Sequence, residues 1–273
     1  MILNIFEMFS YKFMVYAFVV GGAISICAAL LGVSMVLKKN SMIGDGLSHV
    51  GFGAAAIASA LNWAPLALAM PVVIIAAILI LKLTEKNKIH GDAAIGIIAA
   101  SSLAIGYTII HTQGTNIDIE GYLYGSILGI TKEELILSVV LSIIVIGTFI
   151  VLYNKIFALT FDETFFKSTS KHSEFYSIII AILCALTVVI GMKVMGALLI
   201  SSLIIFPTVS ARQIFKTYKS VIISSVIISI VCCFLGLILN YYIDTPAGSI
   251  IVIINLVVLI LCILIGKIRK RIR

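Results

Sequence analysis

Long apolar runs separated by short polar, glycine-containing or proline-containing breaks recur along the whole chain, and each run is long enough to predict a membrane-spanning helix. The first covers residues from about 13 to 37, is interrupted by Gly21-Gly22 and closes at Lys38-Lys39. A second starts near Met42 and ends at Asn62-Trp63-Ala64-Pro65, where Trp suits a membrane interface and Pro marks a turn. Runs at about 66–83 and 93–111 follow, then a polar stretch, His111 to Glu134. Inside it, the apolar piece Tyr122 to Ile130 is too short to span and suits an interfacial or re-entrant helix. Further spans are expected at about 135–153, 175–191, 194–211, 219–240 and 249–266, the sixth and seventh divided by a break at Gly191-Met192-Lys193. The pattern predicts an all-α polytopic membrane protein of eight to nine transmembrane helices.

Charge distribution turns this count into a topology. With nine spans and the basic tail Lys267 to Arg273 in the cytoplasm, sixteen of the nineteen basic residues fall inside, leaving Lys12, Lys132 and Lys193 outside. The N-terminus is then outside and the longest hydrophilic segment, Asn154 to Glu174, is cytoplasmic. If the break at Gly191-Lys193 is re-entrant instead, the count falls and the N-terminus changes sides. No internal repeat is visible, and no removed signal peptide is read in the first residues.

Composition agrees, with 62% hydrophobic and 11% charged residues. A soluble domain carries about a quarter charged residues. The net charge of +7 therefore reflects membrane orientation, and nucleic acid is not an expected partner. Cys27, Cys184, Cys232, Cys233 and Cys262 all lie in apolar runs without a Cys-x-x-Cys pair, so they read as small core or lipid-facing residues.

Against this background Ser41-Met42-Ile43-Gly44-Asp45-Gly46-Leu47-Ser48-His49 stands out, because ionisable groups at membrane depth are costly. On a helix Asp45 and His49, four apart, share one face with an axial separation of about 6 Å. If the helix starts at Ser41, His49 lies about 12 Å along it, near the middle of a hydrocarbon layer of about 30 Å. A neutral imidazole and a carboxylate suit a divalent first-row ion such as Zn²⁺ or Mn²⁺. They can equally hydrogen-bond one another and tie helices together. Gly44, Gly46, Gly51 and Gly53 permit close helix approach and weaken the helix enough for an unwound turn.

The Ser41–His49 stretch, preceded by Lys38-Lys39, resembles the signature opening the second span of permease subunits in ATP-driven zinc and manganese importers of the metal-type ABC family. Asp92-Ala-Ala-Ile-Gly96 is similar to that family's fourth-span start, Val194 to Arg212 to its Gly-Ala…Pro…Ala-Arg segment, and Asp244 to Ser249 to its turn before the last span. Ser126 and Thr208 stand where members often carry, respectively, another polar or acidic residue and a small one. The resemblance implies the permease fold in a single transmembrane domain, residues 1–273, with Asp45 and His49 lining the metal pathway. It also implies a second copy of the chain, a cytoplasmic ATPase subunit and an extracytoplasmic metal-binding protein as partners, in the lipid of a prokaryotic cell membrane. No permanently bound cofactor is expected, only the transported Zn²⁺ or Mn²⁺, with Fe²⁺ as a third candidate.

The hydrophilic segment at about 154–174 mixes acids and aromatics in Phe161-Asp-Glu-Thr-Phe-Phe166, a pattern suited to a short amphipathic helix on a soluble partner. By the same resemblance, Asp162, Glu163, Phe165 and Phe166 couple to the ATPase. The chain has no Gly-x-x-x-x-Gly-Lys-[Ser/Thr] run to cradle ATP phosphates, so it is expected to be a transport subunit and not an enzyme. His90 and His172 read as solvated, His111 with Asp118 and Glu120 as a weak outer vestibule or a polar loop, and Asp92, Glu134 and Asp244 as capping or interfacial residues. Pro207 should kink its span. Other readings of the buried pair are an ion-coupled secondary transporter, a membrane metalloenzyme with a third ligand, or a corrinoid- or siderophore-type ABC permease.

Overall fold

The chain folds as successive helices in the order the apolar runs predict. The computed structural model describes residues 8–85, 91–113, 121, 125, 129–170, 172–243 and 245–272. Its helices are α1 (Lys12–Leu37), α2 (Ile43–Ala60), α3 (Pro65–Glu85), α4 (Gly91–Gln113), α5 (Lys132–Val151), α6 (Tyr153–Phe161), α7 (Glu163–Thr169), α8 (Ser173–Met195), α9 (Ala197–Ile214), α10 (Tyr218–Tyr242) and α11 (Ala247–Ile272). There is no strand among the described residues. Eight helices are long and apolar enough to cross a membrane. The ninth long helix, α2, has 18 residues and so extends about 27 Å, close to the hydrocarbon thickness.

Contacts between helix ends show that all nine traverse the molecule. At one end Lys38 meets Glu163, Gly91 lies beside Asn40 and Thr84, Ser34 bonds Tyr218, and Arg269 donates to the Ile214 carbonyl. At the other, Tyr11 stacks near Tyr241, Lys193 approaches Glu134, and Gly125 lies against the Met195 backbone. Residues 12 and 269 are therefore at opposite ends, as an odd number of crossings requires.

Local chemistry fixes where the helices start and stop. Thr131 and Glu134 form a reciprocal capping box on α5, the Asp162 side chain accepts from the Phe165 N–H to open α7, and Thr217 caps α10. Pro65 is the first residue of α3, where its missing N–H costs nothing. One expected break moves. Helix α8 continues through Gly191-Met192-Lys193, and the chain reverses at Gly196, whose φ of 90° is in the region that favours glycine. Gly191 instead packs flat against α9: an added Cβ would lie 2.5 Å from Ile200 Cδ1.

Helices α1 and α8 are the most enclosed of the eight apolar spans, whereas α3, α4, α5 and α11 present most of their apolar surface outward. Buried hydroxyls join the inner helices: Ser229 donates to the Ser25 carbonyl at 3.1 Å, and Thr208 Oγ1 lies 3.3 Å from Ser225 Oγ. Pro207 sits buried in α9, which runs unbroken to Ile214. Beside it, Gly32 of α1 packs directly on the Ile204 carbonyl, an approach closed to any side chain.

Candidate metal-binding site

Helix α2 begins after a tight turn in which Lys39 adopts φ 61°. Its first residue is Ile43, two later than the expected Ser41, so His49 lies about 9 Å along the helix. No unwound turn occurs; α2 is continuous from Ile43 to Ala60. Its glycines act in packing. Gly44 faces Ile204 of α9, Gly46 faces Ile95 of α4, Gly51 meets Met192 of α8 and Val73 of α3, and Gly53 lies against the Ser102 carbonyl of α4. Gly106 of α4 returns the approach to Gly53. Small residues thus let four helices close around one.

That packing leaves one opening. From Ile43 to Ala56 every residue of α2 is buried except Asp45 and His49. Their side chains are 42% and 26% exposed, with His49 Nε2 3.6 Å from Asp45 Oδ2. Two ligands of a tetrahedral ion, each about 2.1 Å from it, are about 3.4 Å apart, so this spacing suits a cation shared between them. Ser201 of α9, absent from the sequence reading, reaches Asp45 Oδ1 at 3.4 Å while also donating to the Ala197 carbonyl at 3.1 Å. Ser48 Oγ donates to the Asp45 carbonyl at 2.7 Å, turning that hydroxyl into the helix. No cluster of three or more His, Cys, Asp or Glu exists among the described residues.

The four residues assigned to the hydrophilic segment fall on α7 and its cap and separate by role. Asp162 is the cap, and Glu163 forms a 2.8 Å ion pair with Lys38. Phe166 is 7% exposed and packs against Tyr176, while its neighbour Phe165 is 65% exposed. The expected single amphipathic helix is two: α6 packs Phe157 and Phe161 around Tyr218, and α7 follows after one residue.

Other candidates have local roles. Glu134 serves the capping box and lies 3.7 Å from Lys193. Asp92 is in the first turn of α4, after Gly91, and not at the cap position. His111 and His172 are exposed. His90, Asp118, Glu120, Ser126 and Asp244, with most of the Tyr122–Ile130 piece, lie outside the described residues. All five cysteines are free and buried.

A family model described as the ABC 3 transport family matches residues 10–266. The chain belongs to this family. Its members are permease subunits of ABC transporters of the metal type, as the four quoted stretches led us to expect. The High-affinity zinc uptake system membrane protein ZnuB of Haemophilus influenzae is 32% identical over 238 residues, covering 87% of this chain and 91% of that protein. Another H. influenzae protein, named "Probable iron transport system membrane protein", is 30% identical over 247 residues, covering 90% and 87%. Among solved structures, PsaBC from Streptococcus pneumoniae in complex with Fab matches with a TM-score of 0.83 at 25% identity, over 94% of this chain and 93% of that one. This ABC 3 permease is a multi-pass protein of the prokaryotic cell membrane.

Proposed function

We propose that this chain is the permease subunit of an ATP-driven importer moving a divalent transition metal ion, Zn²⁺ or Mn²⁺ with Fe²⁺ as the third candidate, from an extracytoplasmic binding protein to the cytoplasm. The observation that carries this reading is the Asp45–His49 pair on the one open face of an otherwise enclosed helix. A pair placed there for structure alone would be fully buried between helices, whereas both of these side chains stay partly exposed. On this partly exposed face a second copy of the chain would bring its own Asp45 and His49 and raise the donor number from two to the four a transition metal commonly takes. Ser201 holds Asp45 from behind. Donors divided between two chains bind while the copies are close and release when they part, which suits an ion that must leave as well as enter.

The segment Asp162 to Phe166 supplies the contact with a separate ATPase subunit. Phe165 is the exposed anchor, Asp162 caps α7, and Glu163 and Phe166 hold α7 against the rest of the permease. The test is uptake of radiolabelled Zn²⁺, Mn²⁺ and Fe²⁺ into vesicles containing the permease with and without its ATPase. ATP-dependent uptake that disappears without the ATPase is expected, and competition among the three ions identifies the cargo. Uptake that proceeds without the ATPase and collapses on an uncoupler would replace this reading with an ion-coupled transporter.

A further inference from the structure

The Lys38–Glu163 ion pair joins two regions that are 125 residues apart in sequence. Lys38 is the C-cap residue of α1 and stands in the turn leading to α2, seven residues before Asp45. Glu163 is the first residue of α7, two before the exposed Phe165. Their charged atoms are 2.8 Å apart, and the side chains are 14% and 34% exposed, so water screens this pair less than a free surface pair.

The surroundings make the pair more than an ornament of the surface. Through its backbone α7 packs chiefly on α6 and α8, which in turn pack on α1 and α2 farther from the turn's own residues than the Lys38–Glu163 pair. Between α7 and the start of α2 lies a cavity of about 480 Å³ with Lys38, Asn40, Ile43, Thr84 and Glu163 on its wall. Where packing reaches α2 only by way of α8, the short ion pair at the cavity rim joins α7 to the turn directly. On the far side the force meets a continuous helix. The turn is short, α2 is unbroken from Ile43, and Asp45 is in its first turn.

We infer that the Lys38–Glu163 pair is the link through which movement of α7 reaches α2 and the Asp45–His49 face. This rests on the transporter reading above and assigns Lys38 and Glu163 as positioning residues that act through α2. Removing either charge uncouples the two regions without touching an ion ligand or the exposed Phe165.

The experiment uses the permease assembled with its ATPase in lipid nanodiscs. Met42 is 48% exposed at the entry to α2, and the native cysteines are all buried, so Met42→Cys accepts a spin label selectively. In the otherwise unaltered complex, ATP with vanadate should change the distance between the two labels. Glu163→Gln and Lys38→Met should each abolish that change and lower ATP-driven uptake about tenfold, while the ATPase still co-purifies. The double variant Lys38→Met with Glu163→Gln, which removes both charges of the pair, should remain uncoupled. The exchanged pair Lys38→Glu with Glu163→Lys should regain label movement, since the charges attract in either order; thermal stability of the single variants equal to the parent's separates loss of coupling from loss of folding. Label movement in the single variants equal to that of the parent complex, or none in the parent, overturns the inference. Because this readout needs no metal, it is separable from the identity of the cargo: a complex that moves its label yet imports none of the three ions rejects the proposed function and leaves the link standing.

Discussion

Helices α2 and α11 relate hydropathy to burial in opposite ways. Of the nine long helices described, α2 is the one whose composition is not apolar enough by itself to mark a span, yet it is enclosed on nearly every side. Helix α11 is the most apolar of the others and turns Ile253, Val257, Ile260, Leu261 and Leu264 outward, each about half exposed. In water this arrangement would be inverted. In lipid the apolar helix needs no cover, so the enclosed place goes to the helix with glycines for close contact and polar groups that must be kept from hydrocarbon. Asp45 and His49 sit on this enclosed helix, at the two positions between Ile43 and Ala56 that its neighbours leave partly exposed.

The sharpest way to break this contrast is Gly53→Leu, which drives a branched side chain into the Ser102 carbonyl and Gly106. Overpacking of this kind costs about 3 kcal/mol or more, and the variant is expected to lose its monodisperse peak in detergent. If it behaves like the parent protein, α2 is not enclosed as described. Next in size, Asp45→Ala or His49→Ala should lower metal uptake by about a hundredfold while complex assembly is kept, since both side chains are partly exposed. Normal uptake in either variant removes the pair from the pathway.

A smaller effect is expected from the exposed ring of α7. Phe165→Asp should weaken ATPase binding by about thirtyfold, the loss of one aromatic anchor of about 2 kcal/mol, measured by titrating the ATPase onto nanodiscs. Unchanged affinity would place the contact elsewhere. At the far end of the scale, Leu261→Ala on the outward face of α11 should shift stability by no more than about 0.5 kcal/mol in a thermal scan. A loss several times larger would mean that this face is covered by protein and not by lipid.

The number of spans and their order were legible because hydrocarbon thickness imposes a length that the apolar runs repeat. The Asp45–His49 pair was legible too, since a four-residue spacing fixes its face whatever surrounds it. Other features were hidden for identifiable reasons. Gly191 and Gly196 are the same residue type five positions apart, one packing flat against Ile200 and the other turning the chain, and only the three-dimensional partner distinguishes them. Phe165 and Phe166 are adjacent in a helix of seven residues, too short for periodicity to say which ring turns inward. Ser201 and Lys38 take their meaning from partners 156 and 125 residues away, a separation no local pattern encodes.

The single residue between α8 and α9 has a consequence for how this protein enters its membrane. A connection of one residue has almost no loop to close, so these two helices can pair as soon as both have been synthesised. Helix α9, with Pro207 in its middle and Arg212 near its end, is the least apolar of the eight composition-marked spans and a poor candidate to partition into lipid unaided. Tethered to the strongly apolar α8, it can insert as half of a helical hairpin, bringing Ser201 to its place beside α2 before α10 and α11 have left the ribosome.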